Sequence, residues 1–541
     1  MTMKRILAAV FLSAMALHAG AQGWTDALNF SENDYLGTAR SVGMGNAMTA
    51  VGGDLGSLTF NPAGSAVASY SQFTITPGLS ISTVTAKGTM PELGFEDSYR
   101  TPMNRMGMPN FGAMMVYDTR NKRGLKRVSF GIVGNVTRDY TNWLRATGTN
   151  DRTSFAVSLA SQADTYPESV LQKSYDDIGI PSWEAMVGYR AKIFYPTLDG
   201  EGTYYGLTER LYDDGTILFA DKVGQYYGLK RTGSKYDLLM NFGLDFNDKF
   251  FLGANLGITT LNYRNNETRS EEALKGIDYP NEFQSLRMNS AYQDTGSGLY
   301  LKVGFIARPV AGLRIGAAIQ TPTMVTIHES YQLEGSSLAE GVQITQSSPL
   351  DQWYYNTISP WRTNVGVAYT IGKFGLVSAD YEYTDYRGMR LRAAYDEDYY
   401  YDFSDANRDI QDFTGPVHAL RLGGEIKPAP ELALRVGYNL TTGAQYNTLS
   451  DNGQVISLSS DERKNQLRSA VSFGIGYSSP RSFFADFAVR FLYLPSEYFT
   501  PYWYYFDEQT MRRYEENGDI VPEVCGQSTL CNALLTLGWR F

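Results

Sequence analysis

The sequence predicts a transmembrane antiparallel β-barrel of about fourteen strands, and three features carry that expectation. Apolar and polar residues alternate with period two in segment after segment. Most of those segments reach ten residues, and the connections between them sort into short turns and long loops. In 530–541, Ala533, Leu535, Leu537, Trp539 and Phe541 fall on one face, with Asn532, Thr536, Gly538 and Arg540 on the other. The segment 482–494 sets Phe483, Ala485, Phe487, Val489, Phe491 and Tyr493 against Asp486, Ala488 and Arg490. In 234–247, Tyr236, Leu238, Met240, Phe242, Leu244 and Phe246 oppose Asp237, Asn241, Gly243 and Asp245. An Arg or Lys turned toward mid-bilayer lipid would cost about 2–4 kcal/mol, so the apolar faces point outward.

Composition agrees. The 541 residues include 53 Gly, 39 Tyr and 27 Phe, only 19% are charged, and the mean hydropathy is −0.29. Beyond residue 21 no eighteen consecutive residues are apolar, which excludes a helical span. A barrel tolerates this average because alternate residues alone meet lipid. With 47 basic and 57 acidic residues, a formal net charge of −10, the chain lacks the basic face a nucleic acid requires. Lys4 and Arg5, the apolar stretch 6–17 and Ala19-Gly20-Ala21 read as a secretory signal over residues 1–21, with maturation before Gln22. That apolar run is too short to span as a helix, and no Cys follows it for lipidation.

The expected strands are 70–86, 109–118, 126–138, 234–247, 249–264, 297–309, 312–326, 361–372, 373–386, 416–427, 431–442, 467–478, 482–494 and 530–541. Short turns at 247–249, 308–312, 371–373, 427–430 and 479–481 alternate with connections of about twenty residues or more, as periplasmic turns alternate with extracellular loops. Both termini are then expected in the periplasm. The longest loop, 139–233, has helical spacing around 155–162, 168–173 and 183–192, followed by the Tyr-rich 204–228. It is expected outside the cell, either as a cover packed over the barrel mouth or as a lid that captures ligand.

Residues 22–69 show no barrel strand. They hold Gly37-Thr38-Ala39-Arg40-Ser41-Val42-Gly43-Met44-Gly45-Asn46-Ala47, then Gly52-Gly53-Asp54, then Asn61-Pro62-Ala63-Gly64. Small residues at this density let a segment pack as a plug inside a barrel. Gly43-Met44-Gly45 lacks the preceding strand, third glycine and α/β context of a nucleotide site.

This stretch resembles the N-terminal hatch of the FadL/TodX family of outer-membrane transporters for hydrophobic compounds. The matching features are Asn61-Pro62-Ala63, the upstream Asp54 and the small-residue run 37–50. The longer form, with its 139–233 loop, resembles members from Bacteroidetes-type bacteria, whose cargoes do not carry over. The resemblance implies residues 22–69 as hatch, 70–541 as barrel, and passive, hatch-gated passage of hydrophobic molecules such as long-chain fatty acids. It implies outer-membrane lipid, a hydrophobic ligand and, during biogenesis, the barrel-assembly machinery as partners, with no cofactor. A secretion or surface-assembly accessory and a general porin are the alternatives.

Within that frame, Asp54, Asn61, Pro62, Ala63 and Gly64 form the hatch motif, either gating or seating the hatch. Lumen-facing Arg314, Arg362, Arg421, Arg435, Arg468 and Arg490 are candidates to receive a ligand head group or to brace the hatch. Trp539 and Phe541 resemble the terminal signal read during barrel assembly. Pro77-Gly78 interrupts the first strand as a bulge or a lateral gap. Cys525 and Cys531 are a possible disulfide. The aromatic groups Trp353, Tyr354 and Tyr355; Tyr399, Tyr400 and Tyr401; and Tyr498, Phe499, Tyr502, Trp503, Tyr504 and Tyr505 are expected at the membrane interface. Neither His328, expected in a loop, nor the outward His418 offers a catalytic triad, and no metal site is expected.

Overall fold

Fourteen antiparallel strands close into a barrel in this computed structural model, which describes residues 23–177, 179–197, 202–394, 402–450, 453–502 and 522–541. In chain order they are β1 (Gln72–Gly88), β2 (Tyr99–Asp118), β3 (Leu125–Asp139), β4 (Val223–Phe246), β5 (Phe250–Ala273), β6 (Ser285–Ala307) and β7 (Leu313–Gln320). The second half comprises β8 (Arg362–Ile371), β9 (Gly375–Asp385), β10 (Pro416–Ala429), β11 (Leu432–Thr441), β12 (Arg468–Ser478), β13 (Phe483–Tyr493) and β14 (Val524–Arg540). Each pairs with its neighbour in sequence, and β14 pairs with β1, so the sheet keeps no open edge. Residues 1–21, expected as a secretory signal, and Tyr399, Tyr400, Tyr401, Trp503, Tyr504 and Tyr505 lie outside the described residues.

The alternation does what the pattern requires. Leu535, Phe487 and Met240 stand out from the wall, while Thr536, Asp486 and Asn241 are buried inside it. β4 and β5 each run 24 residues and β6 runs 23, more than twice the 9–11 or so a crossing needs. Along β5 the outward residues change from Leu252, Ala254, Leu256 and Ile258 to Thr260, Asn262, Arg264 and Asn266. The apolar band therefore ends near residue 259, and the wall continues as a solvated palisade.

Above that band the long connections form a packed cap. The helices α3 (Phe155–Ala163), α4 (Glu168–Leu171) and α5 (Trp183–Arg190) fall where helical spacing predicts them. Phe155, Leu159, Met186, Phe194 and Tyr204 join Trp353, Tyr355 and Tyr502 in one apolar core. Burial of Trp353, Tyr355 and Tyr502 corrects their expected interfacial placement: cap and palisade together form a dry interior that aromatic rings fill.

Four further expectations change. The span 312–326 is two elements, β7 and the strand Met324–Ala339, because Pro322 has no N–H for the ladder. Thr321 Oγ1 instead accepts from Leu301 N at 3.0 Å, and Met324–Ala339 rises along the upper half of β6. His328 accordingly sits in a strand, stacked on Tyr354 at 4.5 Å, not in a loop. Cys525 and Cys531 both lie on β14, where six residues of extended chain separate them by about 20 Å, against a Cα limit of roughly 7 Å for a disulfide. The two ends of the described chain also lie apart. Phe541 pairs with Ser71 at the short-turn end, but the first described helix, α1 (Trp24–Ser31), lies at the cap end with Trp24 5.7 Å from Phe413.

Pro77-Gly78 is a bulge on the β2 side, where the register slips between Thr76 and Gly78, while pairing to β14 keeps its register. Thr76 Oγ1 lies 2.8 Å from Thr536 Oγ1, which accepts from the Ala39 N–H at 2.7 Å, so hatch backbone backs the bulge.

Inward-facing wall glycines set how closely the hatch can approach. Gly45 has φ +62°, and a Cβ on it would meet Tyr438 N at 2.7 Å and Leu422 O at 2.8 Å. Opposite it, a Cβ on Gly437 would overlap the Gly45 nitrogen itself. Gly437→Ala is therefore expected to leave the barrel intact, as heat-modifiable gel mobility reports, but to unseat the hatch at about 1–3 kcal/mol of overpacking. Faster limited proteolysis within residues 37–50 checks this; unchanged protection would mean the contact is slack.

Candidate functional site

Residues 23–70 run from the cap down through the lumen to the short-turn end. α1 sits highest, with Trp24 and Phe30 in the cap core. Its last carbonyls lack partners within the helix, and wall cations supply them. Lys235 Nζ donates to Phe30 O at 2.7 Å and Glu32 O at 2.6 Å, and Arg362 donates to Ser31 O. Asp34 N and Leu36 N then bond Thr137 O and Val136 O, adding a short inner rung to β3. Lower still, Thr38 caps α2 (Ala39–Gly43), and two 3₁₀ turns, Leu55–Thr59 and Pro62–Gly64, close the base.

The hatch motif is the hinge-pin of that base. Asn61 Oδ1 accepts from Ala63 N at 3.1 Å, capping the turn that Pro62 preorganises. Its Nδ2 donates to Thr49 O at 2.8 Å and to Phe305 O of β6 at 2.9 Å, tying two hatch segments to the wall. Asp54 accepts from Thr38 Oγ1 at 2.6 Å and Gly56 N at 2.9 Å; burial pushes its carboxyl up, against the pull of Arg40. Ala63 and Gly64 are buried, and a Cβ on wall residue Gly253 would collide with Pro62 and Ala63.

The six candidate arginines all end on hatch or wall oxygens. Arg314 donates to Val51 O, and Arg490 chelates Asp34 with two bonds of 2.8 Å. Arg468 and Arg138 share Glu32, the latter at 2.8 Å. Arg435 reaches Glu425 at 2.7 Å and Asp486 at 2.6 Å, and Glu425 also takes Arg40 of the hatch at 3.0 Å. Arg362 and Arg421 converge on Glu382 at 3.5 and 2.7 Å. Arg421 alone of the six combines burial with unfilled donors at both Nε and Nη1, its guanidinium lying over the Tyr35 and Phe60 rings at 5.6 and 5.0 Å.

Sequence inspection missed the hatch's half of this network. Between residues 22 and 69 the charged residues are Asp26, Glu32, Asp34, Arg40 and Asp54, four acids to one base, facing an arginine-rich lumen. That complementarity is the signal that finds Glu32 and Asp34. Lys235 carries no such mark, since its partners are backbone carbonyls.

Between hatch and cap lies a cavity of about 150 Å³. Arg138, Arg362, Arg421 and Arg468 line one side with Glu32 and Asp34, and Ala470, Leu492, Leu494 and Leu530 form an apolar patch on another. Its volume is well below the roughly 300–1,000 Å³ of a small-molecule site.

No family model and no curated protein match this chain. Among solved structures it is similar to a Pseudomonas aeruginosa FadL homologue, at 12% identity and a TM-score of 0.52, covering 94% of this chain and 100% of that one. It is also similar to the P. putida toluene transporter TodX (11%, TM-score 0.47, 94% and 99% covered) and to the CymD monoaromatic hydrocarbon channel (12%, 0.44, 94% and 97%). The first of these likenesses shows the fold: a fourteen-stranded barrel with its N-terminal segment in the lumen.

Glu32 gives the hatch a pH dependence. Burial pushes its carboxyl up, but the charges of Arg468 and Arg138 outweigh burial and leave it at about 2, below the usual 4.5. The anchoring it contributes is complete above 4.5 and is lost as pH falls through about 2. Protease protection of residues 23–36 in the parent is expected to decline over that window. Glu32→Gln should be less protected at pH 7 and lack the step; a parent hatch that is equally protected at pH 2 and 7 would contradict the assignment.

Proposed function

We propose that this protein is a passive outer-membrane channel for hydrophobic small molecules, with its short turns and Phe541 on the periplasmic side. The observation that carries the proposal is the amphipathic cavity under the cap. A long-chain carboxylic acid repeats both features of its lining: a chain for the Leu492–Leu530 patch, and a carboxylate of the kind Glu32 and Asp34 already present to the arginines. Because the cavity is too small for such a cargo, residues 23–36 must yield, and the cargo's carboxylate replaces theirs. Arg421, with its unfilled donors, is the head-group residue already in place.

The signal peptide 1–21, the hatch and barrel assignments and the assembly role of Trp539 and Phe541 belong to the same proposal. A lumen packed by the hatch argues against a general porin. An accessory to protein secretion would leave the amphipathic lining without purpose.

Two measurements test this. Mass spectrometry of purified protein should find an apolar carboxylic acid retained, with Arg421→Gln shifting the retained pool toward neutral apolar compounds; an empty barrel, or a pool unchanged by the substitution, would sink the cargo assignment. In planar bilayers the parent should be nearly silent and a variant lacking residues 23–69 should conduct; steady conductance by the parent would restore the porin. Asn61→Ala strands two buried carbonyls at about 1–3 kcal/mol. It should change uptake while heat-modifiable mobility persists.

A further inference from the structure

The charge on this molecule is not spread evenly. Although the whole chain is acid-rich, with a net charge of −10, the short-turn end is basic at every hairpin. The β2–β3 turn exposes Arg120, Lys122 and Arg123; β4–β5 exposes Lys249; β8–β9, Lys373; β10–β11, Lys427; and β12–β13, Arg481. Arg308 follows β6, and Arg540 ends β14. Acid at this end is sparse: Asp118, Asp248 and the half-buried Glu431 of the β10–β11 turn. Asp118 accepts from the Arg120 N–H at 2.7 Å, and Asp248 is taken by Lys126 and Arg127 at 2.5 Å each. Among the described residues none of the seven exposed side chains enters an ion pair.

Their position matters as much as their sign. Each turn sits where the outward apolar band stops, next to Tyr117, Phe250, Phe374, Ile426, Tyr477 and Phe541, all exposed. Bases scattered on one patch would fit a compact acidic partner. Bases at every hairpin, around the whole circumference and at one depth, fit a planar anionic surface that the barrel pierces.

We propose that the short-turn rim is a phosphodiester-binding belt, which takes the head groups of anionic phospholipids in the leaflet on that side. Arg offers a planar fork matched to phosphate oxygens and Lys a point charge, while the neighbouring rings settle at the glycerol level. The acid-rich cap end disfavours such a leaflet, so the belt also biases which way the barrel sits. This inference depends on the barrel crossing a bilayer and not on what it carries.

The test reconstitutes the full chain in vesicles of equal parts phosphatidylcholine and phosphatidylglycerol, then counts co-purifying lipids by native mass spectrometry. Phosphatidylglycerol is expected to be retained about fivefold over phosphatidylcholine, falling with added NaCl as screening predicts. Combined Arg120→Gln, Lys122→Gln, Arg123→Gln, Lys373→Gln and Arg481→Gln should abolish the preference. Neutralising Arg152, Lys173 and Lys275 on the cap should not. If the fivefold variant does not show heat-modifiable mobility, the three changes in the β2–β3 turn alone should lower the preference. Equal retention of the two lipids, a preference that survives the rim changes, an equal loss in the cap variant, or displacement by an equal concentration of inorganic phosphate would each overturn the belt.

Discussion

Every polar side chain that the barrel turns inward needs a partner, and the hatch backbone is where many of them find one. Lys302 donates to Thr59 O at 2.6 Å, Asn255 to Leu58 O at 2.8 Å, Asn241 to Pro62 O at 2.9 Å, and Asp380 accepts from Thr49 N at 2.6 Å. Lined up in sequence, these wall residues are unremarkable polar positions on alternating strands. Burying these groups without the hatch partners would cost about 1–3 kcal/mol for each unmatched polar atom and more for the charged ones. The lumen is thus built around an object that the same chain supplies.

That dependence divides the hatch into two mechanical halves. The lower half, from Thr38 to Ser65, adds to its Arg40–Glu425 pair and side-chain bonds a set of close backbone contacts, where wall glycines admit Met44, Gly45, Thr49, Pro62 and Ala63. Such contacts are short-ranged and tolerate little displacement. The upper half, from α1 to Leu36, is held by ion pairs, by cations on helix-end carbonyls and by the two backbone bonds of Asp34 and Leu36 to β3. These bonds can be exchanged for others of the same kind without leaving the wall unsatisfied.

The barrel was legible because its signal is repeated: all fourteen spans can be found from period-two alternation, and lumen-facing charges such as Asp237, Arg421 and Arg490 follow from the same count. What stays hidden is set by three-dimensional coincidence. Alternation cannot tell lipid from solvent, so the palisade strands above residue 259 and the burial of Trp353 and Tyr355 are invisible to it. Pro322 announces a break, but where the chain rejoins the sheet depends on the length of β6. Spacing in sequence says nothing of the distance between Cys525 and Cys531 until the strand is known. Asn61 stood out by composition, whereas Gly437 looked like any small residue in a strand.

The unequal halves bear on how a closed barrel lets anything through. Wholesale ejection of the hatch would break the glycine contacts and the bonds to Lys302, Asn255, Asn241 and Asp380 together. Yielding of residues 23–36 asks less. It gives up the Glu32 and Asp34 pairs and the α1 contacts with the cap, and it presents Lys235, Arg138, Arg468 and Arg490 to the enlarged cavity. Under the proposed function, an incoming carboxylate would offset the first loss by pairing with the same cations, and its apolar chain the second by covering the surface that Trp24 and Phe30 leave. The proposed passage down a gradient without an energy source requires that the seated hatch and the loaded channel differ little in free energy, and an exchange of like bonds works in that direction.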